Sequence, residues 1–459
     1  MIQHQKTGFY HTFFKLSFFI ILQNVVTISV NLLDNVMLAR FSEPAMAGSS
    51  IVNQIQFVYQ QAITALAEAA VIIGSQYWGA KKEKQNRDIV RCALRVGIVV
   101  CIVMFAVVSI FDRQILSCFT KDTTILSEAE KYLSIIRITY IFSMISTILL
   151  GFLRSREIVK IGFVVSVAAL LTNGFLNYLL IFGKAGFPQM GIRGAAIATL
   201  ISRIVELFIV VIYTIKKIHK SENQSSVHTY DVYSNPITPG LLNDYVKCLL
   251  PLMGTAVLWS LSSALQTVIL GNMSSVALSA NAVSSNLFLM VKAAATGTAL
   301  AGGVMIGKAI GEGNEQAVKV TSKKLQIAFF LTALVGALAL YLIRIPVLRF
   351  YHISPETKHL ADQFLILMSI IYIGMGYQMP ASEGIIKGGG SPSFILVMNL
   401  ISIWGIVLPL SWYLAFEKQA APIVVLAVLN SDQVFKCIPV FIKINYGHWM
   451  KKLTREESI

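Results

Sequence analysis

The chain reads as an all-α integral membrane protein, with twelve transmembrane helices in two six-helix bundles related by a pseudo-twofold axis. Three observations predict this. Of its 459 residues, 55% are hydrophobic and 13% charged, with a mean hydropathy of +0.68, far from a soluble composition. Apolar runs of at least ~18 residues, long enough to cross a bilayer, recur along the whole chain. Finally, the second half echoes the first.

In order, the runs lie at 13–40, 45–74, 93–112, 131–153, 160–183, 191–215, 245–271, 276–307, 325–345, 361–386, 393–416 and 421–443. Turn or charge signals part the neighbours, among them Ser42–Pro44, Gly183–Gly191 and Ser391–Pro392. The first run is too long, and lacks a small-residue cleavage site, for a cleavable signal peptide. Basic residues collect in alternate loops. Lys81, Lys82, Lys84, Arg87, Arg91 and Arg95 follow the second run; Arg154, Arg156 and Lys160 follow the fourth. Lys216, Lys217 and Lys220 follow the sixth, and Lys308, Lys319, Lys323 and Lys324 the eighth, whereas Asn272–Ser275 carries no charge. The positive-inside rule then predicts a multi-pass protein of the plasma membrane with both termini cytoplasmic. The expected layout is an N-terminal lobe at 1–215, a cytoplasmic linker at 216–244, a C-terminal lobe at 245–443 and a cytoplasmic tail at 444–459. The linker holds the polar run Ser221–Ser226 and the turn residues Asn235, Pro236, Pro239 and Gly240.

The formal charge of +15 does not point to nucleic acid, because the basic residues sit in short loops between apolar runs. Cys92, Cys101, Cys118, Cys248 and Cys437 show no paired spacing, and no two histidines share an apolar helix. Neither a metal centre nor a cofactor is expected.

A shift of 232 positions sets Ala39 to Ala47 beside Gly271 to Ser279, and Ser75-Gln76-Tyr77-Trp78-Gly79 beside Gly307-Lys308-Ala309-Ile310-Gly311. A shift of 233 sets Gly151-Phe152-Leu153-Arg154 beside Gly384-Ile385-Ile386-Lys387. A six-span unit repeated in one orientation implies parallel halves about an axis along the membrane normal, a transporter arrangement.

The first run carries Gln23, Thr27, Asn31 and Asp34. At ~100° per residue these fall within an arc of roughly 80°, one polar stripe on a greasy helix. A carboxylate inside a span costs about 2.5–3.5 kcal/mol on insertion scales, and normally faces a bundle interior or water. The repeat maps the stripe onto Thr255, Trp259, Ser263 and Gln266, where a neutral amide replaces the carboxylate. Asn173, Asn177 and Ser166 share one face of the fifth span, and Thr199 lies on the sixth at similar depth. Asp34, Asn173, Asn177 and Thr199 therefore form a hard-oxygen set suited to Na⁺ or to a protonatable carboxyl; polar glue between helices is the bland alternative. Arg203 and Glu206 read as a self-neutralising helical pair. Asn53, Gln56, Gln60, Thr64 and Glu68 make a second stripe, and Lys292, Arg137 and Glu383 stand isolated. Gly388-Gly389-Gly390 is a tight turn, with neither the strand nor the Lys-Ser/Thr of a phosphate loop. Pro380, with Gly374 and Gly376, is expected to kink the tenth span.

Gly151-Phe152-Leu153-Arg154, the run Asn173 to Gly183, the run Gly191 to Thr199, Gly74 to Ala80 and Pro251 to Trp259 together resemble the multidrug and toxic compound extrusion (MATE) family. The resemblance implies two bundles enclosing a cleft, alternating access, and export of organic, often cationic, drugs in exchange for Na⁺ or H⁺. It also implies a monomer. Asp34 matches the family's first-helix carboxylate, and Asn173 and Thr199 match ion ligands of its amino-terminal lobe. Three positions depart from the pattern: Asn177 stands where many relatives carry a second Asp, Phe19 where they have proline, and Ala256 where some place an acid. On this reading the carboxy-terminal lobe lacks a coupling site of its own. The expected partners are the bilayer and a small-molecule substrate, with Gln54, Trp259, Gln266 and Asn286 facing that substrate. A flippase for lipid-linked saccharides is the alternative, with Lys292, Arg137 and Arg203 as its only intramembrane cations for a diphosphate. A lipid-modifying enzyme would need clustered acid, base or nucleophile groups at one depth, and the sequence offers none.

Overall fold

The computed structural model describes residues 2–222, 237–350 and 353–455, and every regular element among them is a helix. In chain order these are α1 (Ile2–Phe41), α2 (Glu43–Gly79), α3 (Glu83–Ile110), the short α4 (Asp112–Ser117), α5 (Thr123–Ile136), α6 (Thr139–Ser155), α7 (Lys160–Phe182) and α8 (Ile192–Glu222). Then come α9 (Leu241–Met273), α10 (Ser275–Gly311), α11 (Glu315–Phe350), α12 (Pro355–Ile386), α13 (Pro392–Glu417) and α14 (Pro422–Tyr446). Eleven are long and apolar enough to cross a membrane alone, and α5 with α6 makes a twelfth span bent by 51°. Each of the twelve expected runs falls on one of these spans.

The departures have local causes. The fourth span starts at Thr123, not near 131, because Asp122 caps α5 by accepting from the Thr124 and Ile125 amides. Its charged first turns, where Lys131 pairs with Glu128, hide the helix from a hydropathy reading. It breaks at Arg137–Ile138, and the Arg137 guanidinium lies 5.8 Å from the Phe105 ring centre, so Arg137 is not isolated. Pro380 opens seven residues of π-helix, Pro380–Ile386, within α12. The wider turn accommodates a proline ring that would clash with the carbonyl four residues back. α8 runs on to Glu222; residues 223–236 of the expected linker lie outside the described residues, and Gly240, at φ 78°, turns the chain into α9.

By contacts the chain divides into two compact units. One comprises Met1–Ile21, Ser75–Lys82 and Leu250–Ile459; the other comprises Leu22–Gly74 and Glu83–Leu249. In the first, Phe364, Leu365 and Met368 of α12 pack with Leu270 of α9, Leu340 of α11 and Leu426 of α14. In the second, Asn86 of α3 donates to the Gly74 carbonyl at 2.7 Å and accepts from Arg156 Nε at 2.8 Å. Arg156, just past α6, is buried over the Phe152 ring, and this burial lowers its guanidinium to about 10 against the opposing effect of Glu83, which leaves it charged at neutral pH.

The repeat has a physical counterpart within the first unit. Gly79 at the end of α2 has no room for a Cβ, which would meet the Lys308 backbone of α10. Its repeat mate Gly311 is crowded in the same way by the Gln76 backbone. Because Gln76 and Lys308 are themselves repeat mates, the contact is reciprocal, as in an isologous interface. Two helix ends cross through paired glycines.

Residues 447–455, beyond α14, are docked rather than trailing. Trp449 is buried against Gly389, and its indole Nε1 donates to the Ile444 carbonyl at 2.8 Å. The Lys451 amide donates to the Gly389 carbonyl at 2.8 Å, and the Gln76 side chain both donates to the Lys451 carbonyl and accepts from the Leu453 amide. Gly390, at φ 87°, supplies the left-handed turn that exposes this carbonyl edge.

Two predictions follow from the crossing and the docked tail. Gly79→Ala and Gly311→Ala should each cost about 1–3 kcal/mol by overpacking, and the double variant should fall short of their sum because both act at one crossing. Trp449→Ala should cost about 3–5 kcal/mol. Thermal unfolding of the detergent-solubilised protein, followed by size-exclusion recovery, measures each.

Candidate functional site

The stripe on α1 finds a matching face on α7. Gly162 makes room for the Gln23 side chain, Thr27 Oγ1 lies 3.4 Å from Ser166 Oγ, Leu33 packs on Gly174, and Asp34 meets Asn177. Residues 162, 166, 173 and 177 lie on one face of a helix, so the two stripes run alongside each other in register. Glycine and serine at the start of that face let the backbones approach, as small residues do between membrane helices. The amides then come together where the stripe carries its acid.

Asp34 is buried at 5% exposure, Asn173 and Asn177 at 0% and Thr199 at 8%. They form one hydrogen-bonded chain. Asn177 Nδ2 donates both to Asp34 Oδ1 and, at 3.1 Å, to Asn173 Oδ1; Asn173 Nδ2 donates to Thr199 Oγ1 at 3.3 Å. All four residues singled out from sequence thus meet, contributed by α1, α7 and α8. Tyr132 of α5, buried at 3% exposure, completes the wall beside Thr199 and Asp34. The sequence reading missed it, since a lone tyrosine near a span's start carries no periodic signal. On α8, Arg203 pairs with Glu206 at 2.7 Å, as the helical spacing suggests, and still acts electrostatically on Asp34.

One atom of this set is left over. Asn177 Oδ1 is buried with no hydrogen-bond partner. A buried acceptor of this kind costs about 1–3 kcal/mol unless something binds it. With the Asp34 carboxylate, Asn173 Oδ1 and Thr199 Oγ1 it makes an all-oxygen set, the donor chemistry that a hard monovalent cation requires. A proton on Asp34 would equally suit the site, since a neutral carboxyl keeps an acceptor for Asn177.

The residues expected to face a substrate are divided between the two units. Gln54, in the second unit, and Asn286, in the first, are exposed, while Trp259 and Gln266 of α9 are partly buried. Beside Trp259, Lys292 Nζ stands 4.7 Å from the ring centre. Glu383 is not isolated either, since it pairs with Lys387, the residue that follows α12. A further pair escaped the sequence reading. Asp432 and Lys436 of α14 are buried and joined at 2.8 Å, with Lys436 also donating to Asn399 Oδ1 at 2.8 Å.

Comparison with known proteins places this arrangement. The family model described as MatE matches residues 20–179 and again 251–413, one match in each half of the internal repeat and together more than half the chain. The Bacillus cereus protein named "Probable multidrug resistance protein NorM" is 26% identical over 407 residues, covering 88% of this chain and 87% of that protein. A Thermotoga maritima protein of the same name is 23% identical over 439 residues, covering 95% and 92%. Among solved structures, a mutant of the Vibrio cholerae MATE transporter VcmN superposes with a TM-score of 0.84 at 16% identity, over 95% of this chain and 96% of that one, a likeness of fold.

The hydrogen-bond chain predicts how the site tolerates change. Asp34→Asn should unfold at or above the wild-type temperature, because the amide still accepts from Asn177 and no charge is buried. Asp34→Leu should be less stable by about 1–3 kcal/mol, the cost of stranding the Asn177 donor. Differential scanning fluorimetry of the two purified variants separates these outcomes.

Proposed function

The chain belongs to the MatE family, and from that premise we propose that it is a cation-coupled antiporter exporting amphipathic, chiefly cationic small molecules by alternating access. The observation that carries this reading is a single carboxylate, Asp34, buried inside a span with amides and a hydroxyl rather than a counter-ion. Such a group is costly to keep charged in the bilayer, so it favours whichever conformation lets a proton or Na⁺ reach it. Names of the relatives, as multidrug resistance proteins and a MATE transporter, point the same way.

In this scheme the coupling-ion residues are Asp34, Asn173, Asn177 and Thr199. Ionised Asp34 pulls the Asn177 amide towards itself; binding a cation removes that pull and frees the chain of amides behind it. Export follows if ion and substrate prefer different conformations, since a ligand indifferent to the two states moves nothing. With Asn177 neutral, one carboxylate serves each cycle, which suits one H⁺ or one Na⁺. Trp259, Gln266, Gln54 and Asn286 are the proposed substrate-facing residues. The protein acts as a monomer in the plasma membrane with both termini cytoplasmic. The lobes at 1–215 and 245–443 are its moving parts, joined by the linker at 216–244.

Efflux of ethidium from proteoliposomes, with the pH and Na⁺ gradients imposed separately, tests this reading. One gradient should drive efflux in the wild type, and Asp34→Asn should lower that rate at least about tenfold while the variant remains folded, the size expected when coupling is lost. Undiminished efflux by Asp34→Asn would remove Asp34 from the mechanism.

A further inference from the structure

α2 is gripped on both sides of Ser75. Before it, the Gly74 carbonyl accepts from Asn86 of α3 at 2.7 Å, inside the unit that contains Leu22–Gly74. After it, Gln76 belongs by contacts to the other unit, with the rest of Ser75–Lys82. The glycine crossing with α10 supplies part of that second hold. Residues 447–455 supply the rest. Gln76 Nε2 donates to the Lys451 carbonyl at 3.0 Å, and its Oε1 accepts from the Leu453 amide at 2.7 Å. The Arg455 amide donates to the Tyr77 hydroxyl at 3.2 Å, and Lys82 Nζ donates to the Arg455 carbonyl at 2.8 Å.

These bonds fall on residues 451, 453 and 455, the two-residue period of an extended chain laid along a helix end. The opposite anchor is the turn after α12. Ser391 Oγ donates to the Trp449 carbonyl at 2.9 Å, the Lys451 amide donates to the Gly389 carbonyl at 2.8 Å, and the Trp449 ring is buried. The segment therefore reaches from the second half of the repeat to the last turn of α2 in the first. Its two ends are held differently. Trp449 buries apolar surface, which water does not replace. The contacts to α2 are hydrogen bonds from main chain to two neutral side chains and one lysine, and water at a membrane surface takes over bonds of that kind at little cost. Across the repeat the mate of Gln76 is Lys308, which has no amide to offer.

We propose that residues 447–455 are a strap, fixed at Trp449 and released from Gln76, Tyr77 and Lys82 whenever the end of α2 parts from α10. Gly79 and Gly311 leave no room for a side chain between the two helix ends, so this crossing separates as a whole or stays shut. Gln76 sits at the centre of both holds, because its main chain packs on Gly311 while its buried side-chain amide takes the strap. A fastened strap keeps the crossing shut; a strap peeled back from residue 451 onward lets it open. The proposal rests on the alternating-access reading only for what that opening accomplishes, which is entry of substrate from the cytoplasmic side.

A reducible cross-link tests the strap. In a Cys118→Ser background, which removes an exposed native thiol, Lys82→Cys and Arg455→Cys are bridged in the full-length protein by a short bis-methanethiosulfonate. Gradient-driven ethidium efflux should fall at least about tenfold, as when one conformation is withdrawn from a population, and should return on adding dithiothreitol. Methyl methanethiosulfonate, which caps the two thiols without joining them, should leave efflux in place. Efflux retained by the bridged protein, or lost equally on capping, would overturn the proposal. A second measurement needs no transport. Spin labels on the same two cysteines of the purified protein report their separation by pulsed electron paramagnetic resonance. Leu453→Pro, which deletes one donor to Gln76 and leaves α2 unaltered, should raise the ratio of long to short separations about fivefold, the scale of one neutral hydrogen bond. An unchanged distribution would also overturn the strap, and the cross-link result stands where Leu453→Pro fails to fold. Separations that respond to Leu453→Pro in a protein showing no efflux even unbridged would sink the exporter reading alone.

Discussion

A hydrocarbon core offers no hydrogen bonds, so a polar group placed in it must find its partner inside the protein. Asp34 shows what that constraint demands. Its carboxylate is satisfied only because α1 and α7 lie in register, Gln23 on Gly162 and Thr27 on Ser166, so that Asn177 and Asn173 arrive where the acid does. A slip of one residue would rotate the stripe by about 100° and leave a charge facing apolar surroundings. The register is thus fixed by the most expensive group on the helix, and small residues earlier on the same face permit the approach that satisfies it.

Much of this was legible in the chain itself, for physical reasons. Spans announce themselves because a bilayer imposes a minimum apolar length, and all twelve were found. The four-residue set was found because amides and a carboxylate at helical spacing stand out on an apolar background. What escaped lacked such contrast. Tyr132 is one aromatic among many, and α5 begins with charged turns that hydropathy discounts. Asp432 and Lys436 sit at i and i+4, where opposite charges cancel and resemble an ordinary surface pair; only their burial sets them apart. The π turns of α12 and α13 leave no periodic trace in so short a segment. Docking of the tail depends on a remote Gln76, which no local pattern announces.

The internal repeat is expressed unevenly, and the unevenness is informative. At the paired glycines the two halves obey one rule, since Gly79 meets Lys308 and Gly311 meets Gln76 across a shared backbone contact. A contact made by main chain alone constrains both partners equally, so neither glycine can be exchanged independently of the steric problem it solves. Side chains in the stripes carry no such mutual constraint. There Thr27 corresponds to Trp259 and Asp34 to Gln266, and each half is free to hold different chemistry on a common scaffold.

That freedom shows in the electrostatics of the first half. Near Asp34, Arg203 and Glu206 neutralise each other one turn apart on α8, leaving the carboxylate as the charge without an ionic partner. The negative charge is held by amide donors, a weaker and more readily exchanged partner than a counter-ion. A charge held permanently by a salt bridge would be indifferent to a passing ion. One held by dipoles keeps most of its attraction available.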